Sequence, residues 1–124
     1  MCLISVIIPF YKKHQFIEKS VDSVINQLFK NIEIIIIHDD PSDIDFSLIE
    51  RIKKKDKRIK IIRNTKNLGA GISRNLGIAA SKGEYIAFLD ADDVWYPDKL
   101  TLQIDFMRSK NKHIFMNLLY YNKI

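Results

Sequence analysis

The run "IEIIII" (residues 32–37) constrains this chain more than any other stretch of it. Its apolar residues do not alternate with polar ones, so a strand built from it must be covered on both faces. It is also far too short to cross a bilayer. "LISVIIP" (3–9) is a second β-branched run, stopped by proline, and "RIKIIRN" and "EYIAFLD" follow later in the chain. Between these runs lie amphipathic segments. "HQFIEKSVDSVINQLF" sets Phe16, Ile17, Val21, Val24, Ile25 and Leu28 at helical spacing, and "DFSLIERIKKKD" does the same with Phe46, Leu48, Ile49 and Ile52. "ISRNLGIAAS" reads as a third helix, closed by Gly83. Strands that alternate with helices predict an α/β fold, a mostly parallel sheet with helices on both faces. The hydrophobic second and fourth strands are expected at its centre. With 124 residues, 47% of them hydrophobic, the chain is one domain's worth. That domain is expected over residues 1–108, with 109–124 a tail that has no clear partner element.

Ligands of such sheets sit beyond the carboxyl ends of the strands. Those ends carry Pro9, Phe10 and Tyr11, then His38, Asp39 and Asp40, then Asp90, Asp92 and Asp93. Three ionised carboxylates ending a buried strand repel one another and lose hydration, so they call for compensation. An Asp-x-Asp can present two carboxylates to one hard divalent cation, magnesium or manganese, which in turn neutralises a diphosphate leaving group. Acids at strand ends also serve as helix caps, and Asp93 or Asp98 suits a helix entered at Pro97. His38 is expected as a hydrogen-bonded strand-end residue rather than a metal ligand. In "NLGAGISRNLG" (67–77), Gly69 and Gly71 form a turn into a helix and let backbone approach a ligand closely. Arg74 on that helix can meet an acid or a nucleotide. Neither a dinucleotide glycine pattern nor a Walker loop is present.

Taken together and in order, "SVIIPFYKKHQFIEKSVDSVINQLFKNIEIIII" and "NLGAGISRNLGIAASKGEYIAFLDADDVWYPDKLTLQ" resemble glycosyltransferase family 2, inverting nucleotide-sugar transferases of the GT-A fold. The resemblance runs from about residue 4 to residue 107. It implies that Tyr11 packs on the nucleotide base, that Asp39 receives the base's imide hydrogen, and that Arg74 supports the base or the neighbouring acid. It further implies Asp90 near the ribose or metal and Asp92 as the principal metal carboxylate. The nucleotide set it implies is Pro9, Tyr11, Asp39, Asp40, Asn67, Gly69, Arg74 and Asp90, and the metal set is Asp90 and Asp92, for Mn2+ or Mg2+. Lys12 stands where the family usually has Asn, and "HDDPS" (38–42) replaces its Asp-Asp-Gly-Ser turn, which leaves open whether Asp39 or Asp40 contacts the base. Family members continue for about as many residues again. That half carries the acceptor groove and the general base, so this chain is expected to bind donor and to transfer sugar poorly on its own.

The implied donor is a nucleotide-diphosphate sugar, with UDP favoured, and the implied acceptor a glycan or lipid-linked glycan of bacterial surface polysaccharide or lipooligosaccharide. Residues 1–50 hold 4 basic and 8 acidic side chains, and residues 51–124 hold 16 and 7. The basic run "RIKKKDKRIK" (51–60) suits either a solvated helix end or peripheral contact with an anionic membrane. It lacks the interleaved aromatics of a nucleic-acid platform, so no nucleic-acid partner is expected. The lone Cys2 and the absence of a signal-like start point to the cytoplasm. Self-association is expected if apolar surface is left uncovered. Two rivals are a non-catalytic remnant and a receiver-type signalling domain. The receiver fits poorly, because its acid pair belongs after the first strand rather than the second.

Overall fold

A computed structural model describes residues 2–109. Its elements alternate as expected: β1 (Ile4–Phe10), α1 (Ile17–Ile25), β2 (Ile32–His38), α2 (Phe46–Lys53), β3 (Ile59–Arg63), α3 (Ala70–Ala80), β4 (Tyr85–Phe88) and α4 (Lys99–Ser109). The four strands form one sheet in the order β3-β2-β1-β4, and every pairing is parallel. Residues 110–124, most of the tail, lie outside the described residues.

The side-chain alternation of the strands divides the core in two. Ile4, Val6, Ile8 and Phe10 of β1, with Ile34 and Ile36 of β2, face Ile17, Val21 and Val24 of α1, Ile49 and Ile52 of α2, and Leu100, Ile104 and Met107 of α4. Ile7, Ile35 and Ile37 point to the opposite face, where α3 lies. Every residue of β2 is buried. Helix α1 is shorter than its apolar spacing suggests, ending at Ile25 and leaving Leu28 exposed, while α2 includes all its expected apolar positions but exposes Phe46 at its start. The third helix ends at Ala80, before Gly83.

One expectation fails. The central strands are β1 and β2, and β4 lies at an edge of the described sheet, paired to β1 alone. An apolar run reports that both faces of a strand are covered, and it carries no information about whether both edges are hydrogen-bonded. In β4 the burial alternates, with Tyr85 and Ala87 buried and Ile86 and Phe88 half-buried.

Helix α3 reaches the sheet through small residues. Its buried positions are Ser73 and Gly77, and a Cβ added at Gly77 would lie 2.5 Å from Ile7 Cγ2. Ile7 is fully buried in a central strand and has nowhere to move. Gly77→Ala is therefore expected to destabilise the domain by about 1–2 kcal/mol, overpacking outweighing the helix propensity gained. Gly71→Ala is the control, since nothing lies within 4 Å of a Cβ there; urea unfolding of the two variants should separate them, and equal midpoints would show that the close approach at Gly77 is not limiting.

Candidate functional site

Where the strands end, a cleft of about 330 Å³ opens, bounded by the ends of β1 and β2, the turn into α3 and the loop after β4. Pro9, Phe10, Tyr11 and Lys13 come from the first, Asp39 from the second, Asn67, Gly69, Ser73 and Arg74 from the third, and Asp90 to Asp92 from the last. Eight of the residues expected at a nucleotide or metal site thus meet in one place: Pro9, Tyr11, Asp39, Asn67, Gly69, Arg74, Asp90 and Asp92. Asp40 does not join them. Its side chain turns back on its own loop, Oδ1 accepting from the Ser42 backbone N–H at 2.9 Å, and this hydrogen bond, the first of its influences, holds its pKa below the usual range. Of the two acids left open by the sequence, only Asp39 lines the cleft.

Asp39 is buried, and its carboxylate is fully engaged. Oδ1 accepts from Asn64 Nδ2 and the Leu68 N–H, both at 2.8 Å; Oδ2 accepts from Asn67 Nδ2 at 3.0 Å and the Gly69 N–H at 2.9 Å. Four donors fill the four lone-pair sites of an ionised carboxylate. They come from one loop, so Asp39 fixes the turn that leads into α3. That turn needs glycine, because Gly69 has φ of +91° and ψ of 162°, a region closed to residues with a Cβ.

At the other side of the cleft, Arg74 on α3 reaches Asp90, with Nη2 3.4 Å from Oδ1. Lys13 Nζ lies 3.5 Å from Asp92 Oδ2. One carboxylate oxygen from each of Asp90, Asp92 and Asp93 falls within 4.8 Å of the others. An all-oxygen, multiply anionic set at that spacing fits a hard divalent cation and suits a soft metal badly. Behind the loop, the buried Ser20 hydroxyl sits between the carbonyl oxygens of Ala91 (2.7 Å) and Asp93 (2.5 Å) and shares its proton with them. The buried Gln27 donates from Nε2 to Tyr96 O at 2.7 Å, while its Oε1 accepts from the Leu100 N–H at 3.0 Å. Together they tie α1 to the Asp-x-Asp loop and to the start of α4. Sequence reasoning assigned neither of them a role, nor Lys13, Ser73 or Asn64. Gln27 had a signal, as part of the quoted "SVINQ" segment; Ser20 and Asn64 had none that distinguishes them from loop or helix polar residues.

His38, expected as a hydrogen-bonded strand-end residue and not a metal ligand, lies apart from the carboxylate cluster of Asp90, Asp92 and Asp93. It is buried and stacked on Phe10, with ring centroids 5.2 Å apart and planes 18° from parallel, and among the described residues Nε2 has no hydrogen-bond partner. Burial, aided by Arg63, pushes its pKa below the usual value. The neutral ring is thus the folded form, while the unfolded chain takes up a proton near pH 6.5. Stability contributed by His38 is present above that pH and falls as pH drops from about 6.5 toward the lowered folded pKa. Thermal melts of wild type and His38→Phe between pH 7.5 and 5 should show the wild type losing more stability with acid; parallel pH profiles would remove His38 as the cause.

The basic run is largely neutralised from within. Arg51 and Lys55 pair with Glu18 at 2.7 and 2.8 Å, Arg58 with Asp56 at 2.9 Å and Lys60 with Glu33 at 2.8 Å, and only Lys53, Lys54 and Lys57 of that run make no ion pair among the described residues. Among the described residues, no helix is long and apolar enough to cross a membrane.

The family model for glycosyl transferase family 2 matches residues 5–123. The chain belongs to that family. Among its relatives, an uncharacterized glycosyltransferase of Haemophilus influenzae is 44% identical over 90% of this chain and 34% of its own length. The Escherichia coli UDP-Glc:alpha-D-GlcNAc-diphosphoundecaprenol beta-1,3-glucosyltransferase WfaP is 43% identical over 89% of this chain and 43% of its own. The chain thus spans less than half the length of these family 2 relatives. In structure it is similar to S. aureus TarS 1-349, with a TM-score of 0.78 and 25% identity, covering 87% of this chain and 33% of that one. A mannosyltransferase from Pyrobaculum calidifontis shares the fold, with a TM-score of 0.77 over 84% of this chain and 32% of its own, at 21% identity. The sheet order and the helices on both faces are accordingly those of a GT-A glycosyltransferase, seen over a fragment of the full fold.

Proposed function

We propose that this domain binds the donor for a hexosyl transfer: a nucleoside diphosphate sugar, uridine-linked, held with manganese or magnesium, whose sugar passes to a glycan or lipid-linked acceptor in bacterial surface polysaccharide synthesis. The observation that carries the reading is the meeting of Tyr11, the Arg74–Asp90 pair and Asp92 in one cleft at the strand ends. TarS has been crystallised with UDP-GlcNAc and the Pyrobaculum enzyme with GDP-Man and Mn2+, while WfaP is named for a UDP-Glc donor and a diphosphoundecaprenol-linked acceptor. These relatives support the choice of ligand class.

In this reading the Tyr11 ring offers its face to the base, and Asp39 holds the Asn67–Gly69 turn against the nucleotide, its carboxylate already filled by the donors of that turn. Arg74 orients Asp90. Asp90 and Asp92 hold the cation, which supplies charge neutralisation to the diphosphate as it leaves. The attacking hydroxyl needs a base on the far side of the sugar. Each acid lining the cleft is engaged in this reading, Asp39 by the turn and Asp90 and Asp92 by the cation. The base is therefore assigned outside the described cleft, and transfer by residues 2–109 alone is expected to be slow. Lys53, Lys54 and Lys57, without ion pairs among the described residues, leave only a weak electrostatic attraction to an anionic membrane, about 1 kcal/mol per residue near the surface.

Titration calorimetry with UDP, in Mn2+ and in EDTA, tests the reading. Binding is expected in Mn2+ and should weaken strongly in EDTA. Equal binding under both conditions would remove the cation, and no binding under either would overturn the donor reading.

A further inference from the structure

Lys13 belongs to none of the roles above, yet it lines the same cleft as the Asp-x-Asp and is the one cation within ion-pair distance of Asp92 among the described residues. The backbone before it is unusual. Lys12 has φ of +55°, a left-handed conformation uncommon for a long side chain, and its Nζ lies 5.1 Å from the centroid of the Tyr11 ring. The turn sends the two neighbouring lysines apart, Lys12 over Tyr11 and Lys13 across the cleft to Asp92.

We propose that Lys13 is an exchangeable counter-cation: its ammonium holds Asp92 while no metal is bound, yields that carboxylate to an entering divalent cation, and then serves the diphosphate of the donor. The inference rests on the proposed donor-and-metal reading of the cleft. Three observations carry it. Both side chains are about half exposed, at 49% and 43%, and an ion pair so placed is held by little net free energy, so a doubly charged ion can displace it. Asp92 also stands among like charges, with oxygens of Asp90 and Asp93 within 4.8 Å, which favours exchange of a single positive charge for a double one. Finally, an ammonium on a flexible four-carbon stem can swing from carboxylate to phosphate as a point charge, which a planar guanidinium fixed on a helix, such as Arg74, does less readily.

The two halves of the exchange have opposite signs. Removing the ammonium strengthens the negative potential at the acids and should tighten a cation, while it deprives an anionic ligand of a partner. Calorimetric titrations of Mn2+ alone, and of UDP at saturating Mn2+, compare wild type with Lys13→Met and Lys13→Arg. Lys13→Met is expected to bind Mn2+ alone about two- to fivefold more tightly and UDP about tenfold more weakly. Lys13→Arg should return both affinities toward wild type, and unchanged melting temperatures exclude a general loss of structure. If Lys13→Met binds Mn2+ no more tightly, or UDP no more weakly, while wild type binds both, the exchange is overturned and the donor reading stands. A wild type that binds neither Mn2+ nor UDP overturns both.

Discussion

Asp39→Ala is expected to destabilise the domain by about 3 kcal/mol and to abolish measurable UDP binding. The substitution deletes an acceptor that satisfies four donors of one loop, two backbone N–H groups at Leu68 and Gly69 and two side-chain amides at Asn64 and Asn67. Each donor left without a partner away from water costs about 1–3 kcal/mol, and the loop recovers part of that by opening toward solvent. Opening is what removes the ligand site, since Asn67 and Gly69 line it. Asp39→Asn grades the effect: it keeps one acceptor oxygen and turns the other position into a donor facing donors, so roughly half the loss in stability is expected. Urea unfolding and UDP calorimetry read the two consequences separately. A wild-type midpoint for Asp39→Ala would mean that the turn holds without its central acceptor.

Asp92→Asn acts on the ligand and spares the fold. Asp92 is exposed to solvent and, among the described residues, its only ion pair is the weak one with Lys13, so the melting temperature should barely move. Replacing an anionic oxygen ligand by a neutral one should weaken UDP binding in Mn2+ about 100-fold, close to the level seen in EDTA. In EDTA the variant should bind UDP no more weakly than wild type, since the substitution releases the Lys13 ammonium and removes a negative charge from the cleft. A variant that still responds to Mn2+ as wild type does would move the cation away from the Asp-x-Asp.

The element order and the position of the site were legible because both depend on local pattern. Periodicity separates "IEIIII" from "VDSVINQLF", and the strand-end rule sends Tyr11, Asp39 and Asp90 to one edge without any knowledge of tertiary contacts. What was not legible depends on partners far along the chain. The edge position of β4 is a fact about hydrogen bonding between strands, on which hydrophobicity is silent. Asp39 and Asp40 are neighbours of the same type, and only the donors arriving from residues 64–69 distinguish the one that faces the cleft from the one that caps its own turn. Likewise His38 could not be read as a stacked ring, because its partner Phe10 lies on another strand, opposite it in the register.

Strand β1 has neighbours that are made at different times. Its Ile4 pairs with Ile32 of β2 on one side and Tyr85 of β4 on the other. On a ribosome adding about 5–20 residues per second, β4 follows β2 after a delay of roughly 3–10 s. Through that interval one flank of β1 stays open, and the cleft has its aromatic and its turn but not its carboxylate pair. A nascent chain therefore has no complete pocket for a nucleotide until Asp90 and Asp92 have emerged, and ligand can favour only the finished domain by mass action. Chaperones that shield β1 during synthesis would be covering the strand whose end, Pro9 and Phe10, later lines the cleft.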